Sequence, residues 1–500
     1  MLIATSCSSG GRNERLELKN YFTTGAYDKG LEFINKSDFF KDEKVHLLTL
    51  LEKSMFLHAK GEYEASNQSL EEASSLAASL YTIAISKKIE KGLLNDTYDI
   101  FYGEIYERSM IYFYSSLNSI LLYQKNNNRD QLFKARAQIL AWDSYLNSIR
   151  EDRVGKTIYK NDLVLKIYGA KIHEIVGTPE DMQIALHLYK DAEEVLFKNY
   201  NTYLSFNLKS HDFKSDYEKL ATMDIKEVKK KYIDDSDLQK SLKEYIGQNI
   251  ERMTKKISSN KERMTVLLEN GIIADKVADK TQFGLSELSK SPAINVFVAQ
   301  VLGLVPGPGS NNFGGTVTGI ATANAALNLF QIGFELPKIA NSIRPSKLIL
   351  NVKDKDKKII LKKDIPLINP MGDIAEEAVQ EEASAVYARV GARLATKHIA
   401  AIMASFATYK ALGGGKKEEN FLAKNAAVLQ YAAASRAIEE SEKADTRYWS
   451  TLPSEIRMVD LELEPGEYEL ELEKSVTEKF YLNKISVTKN NKDKIINLKK

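Results

Sequence analysis

The sequence predicts an α+β protein, mainly α, with a repeated helical array first, a long helical hairpin later, and a small C-terminal antiparallel β-sandwich module. Three observations carry that prediction. Of ten prolines only Pro179 precedes residue 290, and a proline-poor stretch favours helix because proline removes a donor and clashes with the preceding turn. Nineteen of the 25 tyrosines lie in the first 250 residues, the aromatic filling of packed helices. Beyond residue 346 the pattern turns to short alternating runs separated by charged or Pro-Gly turns, the mark of half-buried strands.

Composition excludes several function classes. Five hundred residues at roughly 150 per domain is about three domains, enough for a core without disulfides or metal. Lys plus Arg is 70 against 68 Asp plus Glu, a formal charge of +2, without the basic surplus of a nucleic-acid binder. One cysteine excludes a disulfide framework and a cysteine-rich metal site, and six scattered histidines point to no histidine site. No G-x-S-x-G, H-E-x-x-H or nucleotide loop is present. The sequence therefore predicts no catalytic residues, no metal, no cofactor and no enzyme.

In chain order, residues 1–20 read as a signal remnant and tether. The run Ala4-Thr5-Ser6-Cys7-Ser8-Ser9-Gly10 resembles the cleavage end of a bacterial lipoprotein signal, with small residues before a unique cysteine. That resemblance implies Cys7 as the lipid attachment site. The three residues before Ala4 are too short for a basic region and apolar stretch, so the true start is expected upstream of Met1. No run is long and apolar enough to predict a transmembrane helix.

Residues 21–200 read as the helical array. Gly25-Ala26-Tyr27 is echoed 36 residues later by Gly61-Glu62-Tyr63, close to the ~34 of a tetratricopeptide repeat. A third unit turns at Gly177-Thr178-Pro179. Residues 201–290 are expected to form a helical connector, its lysine-rich part (226–263) a solvated face. Residues 291–345 open with an uncharged apolar stretch; 291–334 contains no Asp, Glu, Lys or Arg. It is expected as buried core, with an assembly or membrane surface as the alternative.

Residues 346–372 predict a β-hairpin that pairs with the C-terminal module, and 373–445 a helical hairpin inserted between them. The first helix starts at the capping box Asp373-Ile374-Ala375-Glu376 and stops before Gly413-Gly414-Gly415. Arg389, Arg393 and Lys397, at i, i+4 and i+8, form a basic stripe and the candidate partner-binding residues. The second helix is alanine-dense. Residues 446–500 complete the β-module, with Trp449 expected as an anchor where the hairpin meets it.

Patches of the chain are similar to an uncharacterised bacterial lipoprotein family with tetratricopeptide-like N-terminal helices. They are Glu104-Ile105-Tyr106-Glu107-Arg108; residues 112–122; Ala135-Arg136; Gly303-Leu304-Val305-Pro306; the basic stripe; Asp445-Thr446-Arg447-Tyr448-Trp449-Ser450-Thr451-Leu452-Pro453; and Pro465-Gly466-Glu467-Tyr468. The chain departs from the family at 306–313, which lacks the charges usual after the proline. The resemblance implies a bacterial envelope location, mostly periplasmic, and no established activity. The expected function is a lipid-anchored cell-envelope scaffold or adaptor that binds an envelope protein, with a role in cell-wall synthesis as its more specific form. The alternative is an oligomeric membrane-associated or export component assembling through 291–334.

Overall fold

The computed structural model describes residues 11–87, 100–149, 161–200, 203–206, 236–255, 261–284, 331–340, 342–413, 421–475, 477–489 and 494–500. Cys7 and nearly all of the uncharged stretch lie outside them.

Helices pair in succession along the first part of the chain. They are α1 (Arg12–Thr23) with α2 (Tyr27–Lys36), a short α3 (Asp38–Lys41), α4 (His46–Lys60) with α5 (Tyr63–Lys87), α6 (Ile105–Asn126) with α7 (Arg129–Ser148), and α8 (Leu163–Val176) with α9 (Pro179–Lys198). Each pair turns on a left-handed residue: Gly25 (φ 71°), Gly61 (φ 78°), Asn127 (φ 52°) and Gly177 (φ 74°). Gly25 and Gly61 build the same cap. The Gly61 N–H donates to His58 O and the Glu62 N–H to Leu57 O; the Gly25 N–H donates to Phe22 O and the Ala26 N–H to Tyr21 O. Two reverse hydrogen bonds around a residue without a Cβ satisfy the last carbonyls of the helix. The sequence echo is therefore a repeated helix stop, and the tyrosine after it opens the next helix. Helix α10 (Asp237–Lys255) packs on α9.

Strands form three sheets. One has the order β10-β1-β7-β6, with β1 (Glu262–Asn270), β6 (Leu367–Asn369), β7 (Glu455–Leu463) and β10 (Lys494–Lys499). A second has the order β5-β4-β8-β9, with β4 (Ile349–Lys353), β5 (Ile359–Asp364), β8 (Gly466–Glu473) and β9 (Lys479–Val487). A third pairs β2 (Lys276–Gly284) with β3 (Gln331–Ile339).

The first sheet is the middle layer. On β1, Met264, Val266 and Leu268 join a core shared with Leu350 and Val352 of β4 and Leu470 and Leu472 of β8. Leu267 points the other way, into the core of the helical array with Ile456, Met458 and Ile495. Strand β1 is buried on both faces.

This corrects the expected helical connector at 201–290, where α10 gives way to β1 and β2. Covered on both sides, β1 has Val266, Leu267 and Leu268 in succession and loses the clean alternation that marks a half-buried strand in sequence. The sheets are also not purely antiparallel, since β10 runs parallel to β1 from Met264–Lys494 to Glu269–Lys499. Strand β4 pairs with β8, and β6 with β7, so chain on either side of the helical hairpin shares both large sheets. That hairpin is α11 (Met371–Ala411) and α12 (Phe421–Ser441), and α11 also packs on β3. At 41 residues α11 is ~60 Å long.

Candidate functional site

The middle sheet meets the helices through buried polar groups, and these assemble two sites: a strap that joins the layers and a cleft beside it.

The strap is residues 445–453, the chain between α12 and β7. Glu52 of α4 and Glu107 of α6 rise from apolar helix faces, both wholly buried. The Glu52 carboxylate accepts the Ser450 N–H at 2.6 Å, the Ser450 hydroxyl at 2.7 Å and the Thr451 hydroxyl at 2.6 Å. Glu107 accepts the Trp449 N–H at 2.6 Å with one oxygen and the Glu104 N–H at 2.6 Å with the other, closing the capping box of α6. At the outer end, Tyr448 donates to Asp275 at 2.6 Å, Lys19 binds the same carboxylate oxygen at 2.5 Å, and the Arg15 guanidinium lies 5.3 Å over the tyrosine ring.

Burial, and then the neighbouring Glu104 charge, pushes the Glu107 carboxyl up to about 7. Burial likewise raises Glu52, although three donors from the strap oppose it. Perturbed carboxyls of this kind often mark catalytic sites. Here their oxygens are occupied by the strap and by a helix N-terminus, so the arrangement holds chain and offers no reacting position.

A second buried network lies near one end of β1. His58 Nδ1 donates to Asn118 Oδ1 at 2.5 Å, its Nε2 lies 3.2 Å from Asn497 Nδ2 and 3.3 Å from a Glu269 carboxylate oxygen, and Asn497 Nδ2 donates to that carboxylate at 2.8 Å. Burial, with Lys499 nearby, lowers the His58 pKa. Tyr114 donates to Glu269 at 2.8 Å. Burial raises the Glu269 carboxyl, but Lys499, His58 and Asn497 outweigh it and hold it at about 2.

The cleft, about 430 Å³, opens between α10 and the β5 and β7 strands. Beneath it α8 buries Lys171 and Glu174. Glu174 accepts from Tyr189, Arg252 and Arg263, each at 2.7 Å, with Lys171 at 3.3 Å. Lys171 reaches across to Asp460 of β7 at 2.7 Å, and Thr265 of β1 donates to the other Asp460 oxygen at 2.7 Å. Burial alone would raise the Glu174 carboxyl, but the Lys171, Arg263 and Arg252 charges together hold it far below its ordinary value. The cleft lining includes Tyr245, Asn249, Arg252, Arg263, Lys363 and Asp460, with exposed Glu244, Gln248, Lys362 and Glu462 among them. Four basic and five acidic side chains line it, so it favours neither a simple anion nor a simple cation.

The candidates read from sequence fall elsewhere. Arg393 is buried and meets Glu442 at 3.1 Å, while the partly exposed Lys397 meets Glu442 at 2.7 Å and Ser441 at 3.0 Å. Their i, i+4 spacing puts them on the face that clamps the far end of α12, which the sequence pattern cannot distinguish from a solvent-facing stripe. The side chain of Arg389 and all of Cys7 lie outside the described residues. Trp449 is wholly buried, its ring 6.0 Å from that of Tyr114; it anchors the strap to the helical array rather than to the helical hairpin.

Sequence reasoning missed Glu52, Glu107, Lys171, Glu174 and Asp460. Lys171 and Glu174 did leave a signal, two of the three Lys and Glu residues in the largely apolar α8. The structure also brings together two of the patches that carry the family resemblance, 104–108 and 445–453, through the Glu107–Trp449 hydrogen bond. Among the described residues no helix is long and apolar enough to cross a membrane, and no group of His, Cys, Asp and Glu is placed to hold a metal. Comparison with protein-family models, with curated proteins and with solved structures finds no match to this chain.

Proposed function

We propose that the chain is a lipid-anchored scaffold or adaptor of the bacterial cell envelope, that it binds another envelope protein through the cleft between α10 and the sheets, and that cell-wall synthesis is the setting of that binding. The cleft carries the partner-binding part of this reading. Its rim offers exposed side chains of both signs, its floor adds the aromatic Tyr245, and its charged base is already satisfied from within. A polar segment of a folded partner, which carries both signs itself, matches such a lining better than a small ion does. The succession of helix pairs with recurrent left-handed stops supports reading the array as tetratricopeptide-like, an architecture that presents concave surfaces to partners. The core shared by the two large sheets supports reading the β-module as a sandwich. Envelope location and lipidation rest on the resemblance around Cys7.

Affinity capture from detergent-solubilised envelopes tests this. The full chain is expected to retain a specific protein that a rim charge-reversal variant, Glu244→Lys with Lys362→Glu, loses while keeping its circular dichroism. Equal capture by both overturns the assignment of the cleft. Palmitate labelling that persists in a Cys7→Ser variant overturns the anchor.

A further inference from the structure

Strand β7 is longer than the strand that covers it. It runs nine residues, and β6 pairs with it only at Ile456 and Arg457. The Met458 N–H donates to Pro366 O, so the even-numbered residues of β7 turn their main chain to the β6 side, while the odd-numbered ones bond β1. Upstream of Pro366 the chain belongs to β5, in the other large sheet. Opposite Asp460 and Glu462, therefore, no described strand follows. Among the described residues the N–H groups of Asp460 and Glu462 and the Glu462 carbonyl have no hydrogen-bond partner, and the Asp460 carbonyl is met only by a side chain, Lys363 Nζ at 2.9 Å. Val459, Asp460, Glu462 and Pro366 all line the cleft, so its open space of about 430 Å³ lies along this bare edge.

The charges of the cleft narrow the choice of guest. Its four basic side chains are all engaged: Arg252 and Arg263 on Glu174, Lys362 on Glu473, and Lys363 on the Asp460 carbonyl. Three of its five acids are paired: Glu251 with Lys255, Asp364 with Lys347, and Asp460 with Lys171. Glu244 and Glu462 remain, both exposed and both without an ion pair among the described residues. The lining as a whole is mixed, but its uncompensated charge is acidic.

We infer that an extended segment of a protein partner adds to the bare half of β7 as a further strand of the middle sheet and sets a Lys or Arg side chain against Glu244 and Glu462. The inference rests on the reading of the cleft as the partner site and gives that site a binding mode. Main-chain hydrogen bonds at an open edge supply affinity for any sequence, and alternate side chains supply the selectivity. On β7 the odd-numbered Val459, Leu461 and Leu463 face the core between the two large sheets, and Asp460 turns to Lys171 of α8. Every second side chain of an added strand thus points toward the helices, on the side of Glu462 and of Glu244 of α10, and those between point toward Val459 and Pro366. A small cation would neutralise the two carboxylates but leave the row of N–H groups at Asp460 and Glu462 unpaired; a basic strand answers both.

The probe is a capped, fluorescein-labelled heptapeptide, Thr-Val-Lys-Val-Lys-Val-Thr, titrated by anisotropy against the full chain. Binding below about 1 mM is expected, with the Glu-for-Lys counterpart at least about tenfold weaker. Glu244→Gln with Glu462→Gln is expected to weaken the lysine peptide about tenfold with unchanged circular dichroism. Main-chain pairing is read by N-methylating the peptide at alternate amides, since an added strand uses one of its two edges. Methylation of one alternate set is expected to lower the affinity at least about tenfold, and of the other set to leave it within about threefold. Equal effects of the two sets, or none, overturn strand addition. A lysine peptide that binds the double variant as well as the parent overturns the assignment to these carboxylates. No binding at all overturns the inference and leaves Lys363 and Glu462 as guards of an edge that stays bare. If envelope capture still depends on the rim charges in that case, the cleft stands as the partner site and only its mode is wrong.

Discussion

The joint between the helical array and the middle sheet and the projecting hairpin α11–α12 are built on opposite terms. At the joint, charged groups go inside. Glu52, Glu107, Lys171 and Glu174 are all buried, and each has named partners from another part of the chain. In the hairpin, large apolar side chains of α12 are exposed, while Ala423 of α12 and Val390 and Leu394 of α11 are buried. A buried carboxylate is tolerated only where its donors are placed in advance, so the joint has one geometry and little freedom to slip. Among the described residues the hairpin is held by the Glu442 clamp within it, by Arg344 on Asp373 and Glu376 of α11, and by Met371, Ile374 and Val379 of α11 in the core of the helical array. The contrast teaches that buried charge fixes how the layers meet in one region of this protein, while the other keeps large apolar side chains at its surface.

The strongest way to break the joint is Trp449→Ala. Removing a wholly buried indole between the strap and Tyr114 should lower stability by about 3–5 kcal/mol, read as a shift of the urea midpoint. A variant as stable as the parent would show that the strap is not an anchor.

Acid–base behaviour sharpens the comparison, because the joint titrates through a carboxyl at about 7. Below the ordinary glutamate value Glu107 is protonated in both folded and unfolded chains. As pH rises toward 7 the unfolded chain has released a proton that the folded one still holds. Stability from this group is therefore present at low pH and declines as pH rises through that window, by on the order of 3 kcal/mol in all. Glu107→Gln cannot titrate, so the stability of the parent relative to this variant should fall between pH 4.5 and pH 7. Parallel stability–pH curves for the two would contradict it. His58 and Glu269 titrate alike in both proteins and cancel from the comparison.

The smallest expected effect lies in the turns that build the array. At Gly61 an added Cβ meets nothing closer than the Tyr63 hydroxyl at 4.0 Å, so Gly61→Ala isolates the strain of a left-handed backbone. A loss of about 1 kcal/mol, measured by thermal unfolding, is expected. No loss would mean that the turn relaxes without it.

The helical array was legible because its information is local. Apolar spacing, the left-handed stops at Gly25 and Gly61, and Pro179 at the first turn of α9 all act within a few residues of themselves. Strands β4, β5, β7 and β8 were legible because each lies on or beside a hairpin turn with a polar face. Strand β1 was not, since burial on both sides erased its alternation. The side chains of the strap and cleft were not legible either. Glu107 reads in sequence as half of an ordinary helix-face pair with Glu104, and nothing within α6 announces a bond to Trp449, 342 residues away.

By itself, the sequence determined the helix stops at Gly25, Gly61 and Gly177, the hairpin strands and the helical hairpin, because periodicity, capping and turn chemistry are short-range. Only the tertiary structure decided which charges are buried, that Arg393 and Lys397 clamp their own hairpin, and that Phe421, Leu422, Val428 and Leu429 of α12 are exposed. Those outcomes depend on what lies opposite a side chain, and for a side chain on a helix or strand surface the opposite neighbour is set by packing between layers rather than by adjacent residues.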